Sequence, residues 1–483
     1  MSSDELVDVI VVGAGGAGLS AAIEAARAGG RVLVLEKGDQ VRGSTGWSVG
    51  SLSAAGTALQ RRAGISDHPD HHFEDLGRFN AGKGDGDNLA LRRILVDEVP
   101  DALAWLEQLG VSFVGPSPEP PHRVPRMHNV VPSSAAFGAC LVRECERLGV
   151  EIRCGWRMSG WVIEAGRIGG VQAVSPDGRT HSLAAQRGVV LAAGDFSASR
   201  ELKARFFGPE VVEADPVNPL STGDALLLAE SIGARVLNGR MGNPPKLRFV
   251  PAPPSWLQRL PTQPWVGRVL AFAWRTAPQW LIRPFVVRFL TTAMGPEPTL
   301  FRCGAVLVDP DGRAVPIDFK NTARNLPLTP ARLGYIVFDA QCAEQLRSWP
   351  NFVSTAPGVA YAYLDDYRRG RPDIYHSADT VEGLAAMIGA RPELLAESLG
   401  KHRRSPWFAL GPLRGVVTLT DGGLAVDTLH RVLGQDDQPI PGLYAAGSTG
   451  QGGVLLEGHG HHLGWAFVSG RRAGRSIMGY LEA

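Results

Sequence analysis

The chain has 483 residues, 44% of them hydrophobic and 20% charged, enough to bury one large core or two unequal ones. A net charge of +1 and a pI near 7.8 leave no electrostatic footprint for nucleic acid, so no such partner is expected. Five cysteines, with no Cys-x-x-Cys pair, point to reduced thiols in a cytoplasmic protein rather than a disulfide framework, and no apolar run reaches the length of a membrane span.

The N-terminal Met-Ser-Ser-Asp-Glu-Leu is acidic and leads directly into an apolar run, which leaves no room for a signal peptide. Val7 to Val12 reads as a strand buried on both faces, followed by Gly13, Gly15 and Gly18 in the three glycine places of a G-x-G-x-x-G turn, and then by a helix from Leu19 to Ala28. Gly13 permits the tight turn and Gly15 lets backbone approach a pyrophosphate. Gly18 lets the helix lie close to the strand, while the N–H groups around Gly16 and Ala17 face the anion. A second strand, Arg31 to Leu35, ends on Glu36 and Lys37, where a carboxylate can accept hydrogen bonds from the hydroxyls of an adenosine ribose. This unit predicts a dinucleotide and leaves NAD and FAD open.

The next stretch, Gly43-Ser-Thr-Gly-Trp-Ser-Val-Gly50, favours FAD. Ser44, Thr45, Gly46 and Gly50 offer N–H and O–H donors for a second phosphate and a ribityl chain. Trp47 beside them, and Trp465 near the C-terminus, either wall an apolar pocket or are ordinary core. Ser66-Asp-His-Pro-Asp-His-His72 has a superficial likeness to a metal cluster, but its spacing matches no standard ligand set; a solvated loop is expected, and no metal site. Helical periods cover 88–109 and 135–148. Strand-like pieces at Val150–Arg153, Gly160–Glu164, Ile168–Val174 and His181–Ala185, broken by the hairpin signal Asp177-Gly178, predict a small antiparallel sheet set on a Rossmann core. Gly188-Val-Val-Leu-Ala-Ala-Gly-Asp195 again reads as a buried strand running into glycine, with Ala193 and Gly194 placed at its end.

From Trp256 to Phe289 aromatic and aliphatic residues alternate with Arg259, Arg268, Arg275, Arg283 and Arg288, and acids are absent. That composition suits a segment lying in a bilayer interface or guarding access for a hydrophobic substrate. A cap helix pair with snorkelling arginines, or a dimer contact, would read the same way.

Val189-Val-Leu-Ala-Ala-Gly-Asp-Phe196, Ser221-Thr-Gly-Asp-Ala225 with Ile232-Gly-Ala234, Ala378-Asp-Thr-Val-Glu-Gly-Leu-Ala385, and Gly442-Leu-Tyr-Ala-Ala-Gly447 through Gly470-Arg-Arg-Ala-Gly474 resemble the fumarate reductase and succinate dehydrogenase flavoprotein superfamily, which includes the 3-ketosteroid dehydrogenases. The resemblance covers nearly the whole chain in order. It implies an α/β fold: a discontinuous Rossmann-type FAD-binding domain with a parallel sheet and a small antiparallel one, over 1–240 and 405–483, and an inserted α+β cap or substrate domain over 241–404. It also implies that Asp224, Gly447, His462 and Leu463 join the cofactor site. Covalent flavin is not expected, because the 43–50 loop lacks the histidine used by members that attach it.

The departures bear on substrate. Where dicarboxylate reductases carry His-His-Thr-x-Gly-Gly, this chain has Val417-Thr-Leu-Thr-Asp-Gly-Gly423, and the family's C-terminal substrate-carboxylate arginine falls on Glu457. Arg403 or Arg404 is the expected stand-in for the family's catalytic arginine, in a shortened segment. Gly460-His-His-Leu-Gly464 resembles the start of the last helix in ketosteroid 1,2-dehydrogenases, whose N-terminus would favour a reduced flavin. The tyrosine those enzymes use is replaced by Phe408. His461 and His459 are the leading candidates for proton transfer, with a structural role as the alternative, and Tyr335 is a candidate phenol from the cap. The expected activity is FAD-dependent desaturation of a CH–CH pair beside a ketone in a hydrophobic, steroid-like or alicyclic substrate, with electrons passed to an external acceptor such as a quinone. Reduction of an enone or other alkene, and an electron-transfer subunit without its own substrate, are the alternatives. The expected place is the cytoplasm, with peripheral contact at the inner face of the membrane through 256–289.

Overall fold

The computed structural model describes residues 6–83, 86–242, 244–252, 260–356, 360–400 and 403–481. Its larger sheet has eight strands. Strands β1 (Leu6–Val12) and β2 (Val32–Glu36) flank helix α1 (Gly16–Arg27), and the order across the sheet is Arg431–Leu433, Pro439–Ala445, Thr180–Leu191, β1, β2, Glu151–Cys154. All neighbours from Pro439–Ala445 to Glu151–Cys154 run parallel, with Val12 opposite Leu191 and Val9 opposite Val32. Helices pack against this sheet, and its central strands are mostly apolar and buried: every residue of β2 is buried.

Parallel register places the carboxyl ends of neighbouring strands side by side. Gly13, Glu36, the run Ala192-Ala193-Gly194 and Ala446-Gly447 each leave a strand at that edge, which is where a doubly wound sheet opens a ligand crevice. The last helix, His461–Ile477, lies across α1. A Cβ on Gly470 would stand 2.3 Å from the Ala17 carbonyl oxygen and one on Gly474 2.3 Å from that of Ala21, so these glycines set how closely the two helices cross.

The expected strands at 160–164 and 168–174 form a hairpin, Arg157–Glu164 with Arg167–Val174. The piece expected at 181–185 and the strand expected within 188–195 are one strand, Thr180–Leu191, which pairs antiparallel with the hairpin and then parallel with β1. The antiparallel addition is therefore continuous with the Rossmann sheet. A three-stranded sheet, Ser51–Ser53, Met127–Val131 and Ser112–Ser117, lies near the start of the last helix, where the Ser53 hydroxyl donates to the His459 carbonyl at 2.7 Å.

The second large sheet has six strands built around Trp407–Val417, which pairs with Asp215–Pro216, Lys246–Phe249, Gly334–Phe338 and Tyr375–Ala378. Residues 407–417, beyond the expected boundary at 404/405, pair in this sheet with 246–249, 334–338 and 375–378 of the expected cap and with 215–216 of the expected FAD-binding domain, and the chain returns to the first sheet beyond them. Alternation along Gly334–Phe338 sends Ile336 and Phe338 to one core, with Leu307, Leu364 and Phe408. Val337 goes to the other face, against Leu384 and Leu395. Among the described residues no helix is long and apolar enough to cross a membrane.

Candidate active site

A trough follows the carboxyl edge of the first sheet. Glu36, Lys37, Trp156, Arg157 and Met158 line one end; Gly13, Gly15, Gly16, Ala17, Ser44, Thr45, Ala193 and Gly194 line the middle; Gly447, Ser448 and Ala466 close the other. Asp224, Asn218 and Leu220 complete it. The glycine turn is shaped by close approach. Gly13 has φ +105°, and a Cβ there would meet the Ala192 oxygen at 2.5 Å; a Cβ on Gly18 would fall 1.8 Å from the Gly13 oxygen.

Polar groups converge on this cradle. The Glu36 carboxylate accepts from the N–H groups of Ala14 at 2.9 Å and Gly38 at 2.8 Å, which fixes it at the end of β2 with lone pairs left for ribose hydroxyls. The Gly16 N–H, at the start of α1, donates to Thr45 Oγ1 at 3.0 Å; Asn218 donates to Ser44 Oγ at 2.9 Å. Lys37 pairs with Asp224 at 3.0 Å and bonds Thr222. Adenosine at Glu36, pyrophosphate at the α1 terminus and a ribityl chain toward Gly447 suit this series of donors and close-packed glycines. Gly18, Gly46, Gly50, His462 and Leu463, also expected at the cofactor, do not line the trough. Gly18 serves helix-on-strand contact, and His462 stands one helical turn before Ala466 at its far end. Trp156, Met158 and Asn218 come from segments whose sequence carries no cofactor motif.

Beyond that end lies a charged cluster. Lys83 bonds Glu457 and is 3.8 Å from Asp421, and Asp421 is 3.5 Å from His462 Nε2. Glu119 accepts from the His459 backbone N–H at 3.0 Å and bonds its ring nitrogen Nδ1. Burial pushes the Glu119 carboxyl up, but the His459 bonds outweigh it and hold the group below its usual range. Burial raises Asp195 to about 6, with the Asp421 charge adding and two bonds from Ser197 opposing. Burial lowers His462, with Asp421 and Glu457 working the other way. Burial also lowers the Lys246 ammonium, in a strand of the second sheet, and Glu457 and Lys83 are among the charges it feels. Lys83, Glu119, Asp195 and Lys246 are isolated polar residues in sequence, and only the tertiary fold collects them.

The expectation of a solvated loop at 66–72 is overturned. Pro69–Phe79 is a helix, and His72 on it is fully buried against His461 and His122, with ring centroids 5.2 to 5.4 Å apart. Hydrogen-bond partners assign the tautomers. Arg126 donates to His122 Nδ1 at 2.9 Å, so His122 carries its proton on Nε2; His461 Nδ1 bonds the Glu457 carbonyl, which leaves His461 Nε2 to accept from His72 Nε2 at 3.1 Å. The three side chains can be grouped as ligands for one ion. The Arg126 bond nevertheless occupies the lone pair that a neutral His122 would need to give up before turning Nε2 to a metal. His122 Nε2 and His72 Nδ1, a donor and an acceptor, are left without a protein partner. Burial holds all three rings neutral, with His461 lowered to about 4 and His122 to about 2.

Among the remaining candidates, His459 precedes the last helix and His461 begins it, and they face different partners, while Tyr335 lies with the apolar cluster around Val337 and Leu384, its ring against His376, and makes no described contact with His459 or His461. Trp465 is core, fully buried and donating to the Gly447 carbonyl at 3.2 Å; Trp47 is half-exposed beneath Arg42. Neither walls the trough. Arg403 donates to the Leu399 and Gly304 carbonyls, and Arg404 is exposed.

The family described as FAD binding domain matches residues 8–263 and 304–456. A probable fumarate reductase of Shewanella frigidimarina is 25% identical over 488 residues, spanning 95% of this chain and 71% of that protein. Among solved structures, the open conformation of a flavocytochrome c3 fumarate reductase superposes with a TM-score of 0.74 at 22% identity, over 99% of this chain and 79% of the other. A 3-ketosteroid-Δ4-(5α)-dehydrogenase from Rhodococcus jostii, in complex with 4-androstene-3,17-dione, superposes with a TM-score of 0.63 at 23% identity, over 99% and 98%.

Proposed function

The chain belongs to the FAD-binding family of the fumarate reductase and succinate dehydrogenase flavoproteins, with FAD as its cofactor, and from that premise we propose desaturation of a CH–CH pair beside a ketone. The substrate is hydrophobic, steroid-like or alicyclic, and the electrons leave to an external acceptor of the quinone or cytochrome kind. The protein works in the cytoplasm, a compartment that suits its free cysteines.

The carrying observation is the charge at the far end of the trough. Glu457 occupies the place that the family resemblance gives to an arginine for a substrate carboxylate, and Asp421 stands with it around Lys83. A dicarboxylate would meet two carboxylates there with Lys83 already held between them, whereas a neutral ketone needs no cation. Bound FAD supplies the hydride acceptor. His459 is the group best suited to moving the substrate proton, since its ring is half-exposed and Glu119 orients it through Nδ1. His462, on Asp421, presents a polar edge at the first turn of the last helix. His461 acts by position: its bond to the Glu457 carbonyl pins the 457–460 loop that carries His459. Tyr335 receives no role in this reading.

The reverse reaction, reduction of an enone or another activated alkene, is the second reading, favoured by the fumarate reductase among the relatives. Anaerobic titration of the yellow protein separates the two. Bleaching of the flavin band by saturated 3-ketosteroids or cyclic ketones is the expected result. Reoxidation of dithionite-reduced protein by enones alone would favour reduction. Reoxidation by fumarate would overturn the exclusion of dicarboxylates, and silence with every compound would overturn both directions in favour of an electron-transfer subunit.

A further inference from the structure

From Ile232 to Pro296 the sequence contains no acid, while Arg235, Arg240, Lys246, Arg248, Arg259, Arg268, Arg275, Arg283 and Arg288 fall inside it. Its centre folds into two helices, Pro264–Thr276 and Gln279–Ala293; Trp256, Leu257 and Arg259 of the stretch lie outside the described residues. The first helix packs on strand Ser112–Ser117, and the second on the hairpin Ser354–Ala356 with Ala360–Ala362.

Pro264–Thr276 is apolar on two opposite faces. Val266, Gly267 and Ala271 turn inward and are buried, while Trp265, Val269 and Phe272, at the i, i+4 and i+7 spacing of one stripe, turn outward. Trp265 is 64% exposed and Phe272 61%. In the second helix Trp280 is 71% exposed, with Leu281, Phe285 and Phe289 also outside. A helix with apolar residues on every side ordinarily has apolar surroundings on every side. Here one side is covered by the protein and the other by none of the described residues. Arg268 and Arg283 stand beside the outer stripes, and among the described residues no carboxylate pairs with either.

We propose that this helix pair docks the protein on an anionic lipid bilayer, lying in the plane of the interface with Trp265, Phe272 and Trp280 inserted and Arg268 and Arg283 on the headgroups. Two features select lipid over a second copy of the chain. Tryptophan and phenylalanine on an exposed face with arginines at its margin match the layering of a membrane surface, apolar depth beneath phosphate charge. A two-fold contact between copies would instead bring acid-free, arginine-bearing faces together, with no carboxylate from the patch to offset them. The surface is independent of the reaction assigned above.

The test uses the full-length FAD-loaded protein and flotation with vesicles of phosphatidylcholine alone or with about one third phosphatidylglycerol. Flotation with the anionic vesicles, weakened by salt and absent with phosphatidylcholine alone, is expected. Arg268→Glu with Arg283→Glu should weaken binding by at least about 30-fold, since each basic residue near an anionic surface is worth roughly fivefold. Trp265→Ser with Phe272→Ser and Trp280→Ser should abolish it with the visible flavin spectrum unchanged, which controls for folding. No flotation of the unmodified protein, or flotation that survives both sets of substitutions, overturns the proposal. Light scattering that shows a dimer converted to monomer by the serine variant, without lipid binding, assigns the face to a second copy instead.

Discussion

At the scale of single residues, the buried histidines have the clearest consequence. His461, His122, His128 and His430 are neutral in the folded protein because burial lowers them, to about 4, 2, 4 and 3. In an unfolded chain they titrate near 6.5. Each therefore contributes stability that is complete above about pH 6.5 and is lost as the pH falls toward the folded value, with a slope of about 1.4 kcal/mol per pH unit for each proton taken up on unfolding. The urea midpoint should fall steadily between pH 6.5 and 4.5, and His461→Asn should make that fall shallower by one proton's worth. A midpoint flat across this range would contradict the neutral trio. Sequence placed His461 at the right helix terminus, and it placed His72 in the wrong environment. A run of Asp and His reads as solvated because neither residue type is apolar, and only the arrival of His122 and Arg126 from another segment, with Arg126 bonded to Asp75 of the same helix, makes its burial tolerable.

At the scale of elements, the last helix and α1 form one unit with the cofactor cradle. Gly470 and Gly474 let the helix backbones touch, and α1 begins at the turn where a pyrophosphate would lie. Gly470→Val would drive a side chain into the Ala17 carbonyl. Overpacking of this kind costs typically 1–3 kcal/mol, and here it would also shift the Gly15–Gly16 N–H groups. The expected outcome is a lower melting temperature together with weaker FAD retention on gel filtration, whereas Gly479→Ala, at a site with open space, should leave FAD retention unchanged. The glycine turn, both strands beside it and the helices at 89–108 and 135–147 were legible from periodicity, since each is a local pattern of apolar spacing. The single strand Thr180–Leu191 was not, because Gln186-Arg187-Gly188 interrupts the apolar run that would have joined its halves.

At the scale of the whole molecule, the cofactor ties distant parts of the chain together. The trough takes residues from 12–17, 35–37, 43–45, 156–158, 192–194, 218–225 and 447–466, so a ligand that fills it opposes their separation. Free FAD at a hundred times its Kd should stabilise the protein by about 2.7 kcal/mol, visible as a higher melting temperature, and acid or urea should release yellow flavin into the supernatant. Colour that stays with precipitated protein would show a covalent link. Sequence alone determined that a dinucleotide binds, because strand, glycine turn, helix and acid are contiguous and their chemistry depends on spacing along one segment; the same segment offers Glu36 for the adenosine end. It also marked Glu457 as the point of departure from the dicarboxylate reductases. Tertiary structure decided the rest. It paired Trp407–Val417 with strands from both sides of the expected domain boundary, set Tyr335 apart from His459 and His461, and gathered Lys83, Glu119, Asp421 and His459 near the start of the last helix. Long-range packing makes those neighbours, and no local pattern encodes a contact between residues hundreds of positions apart.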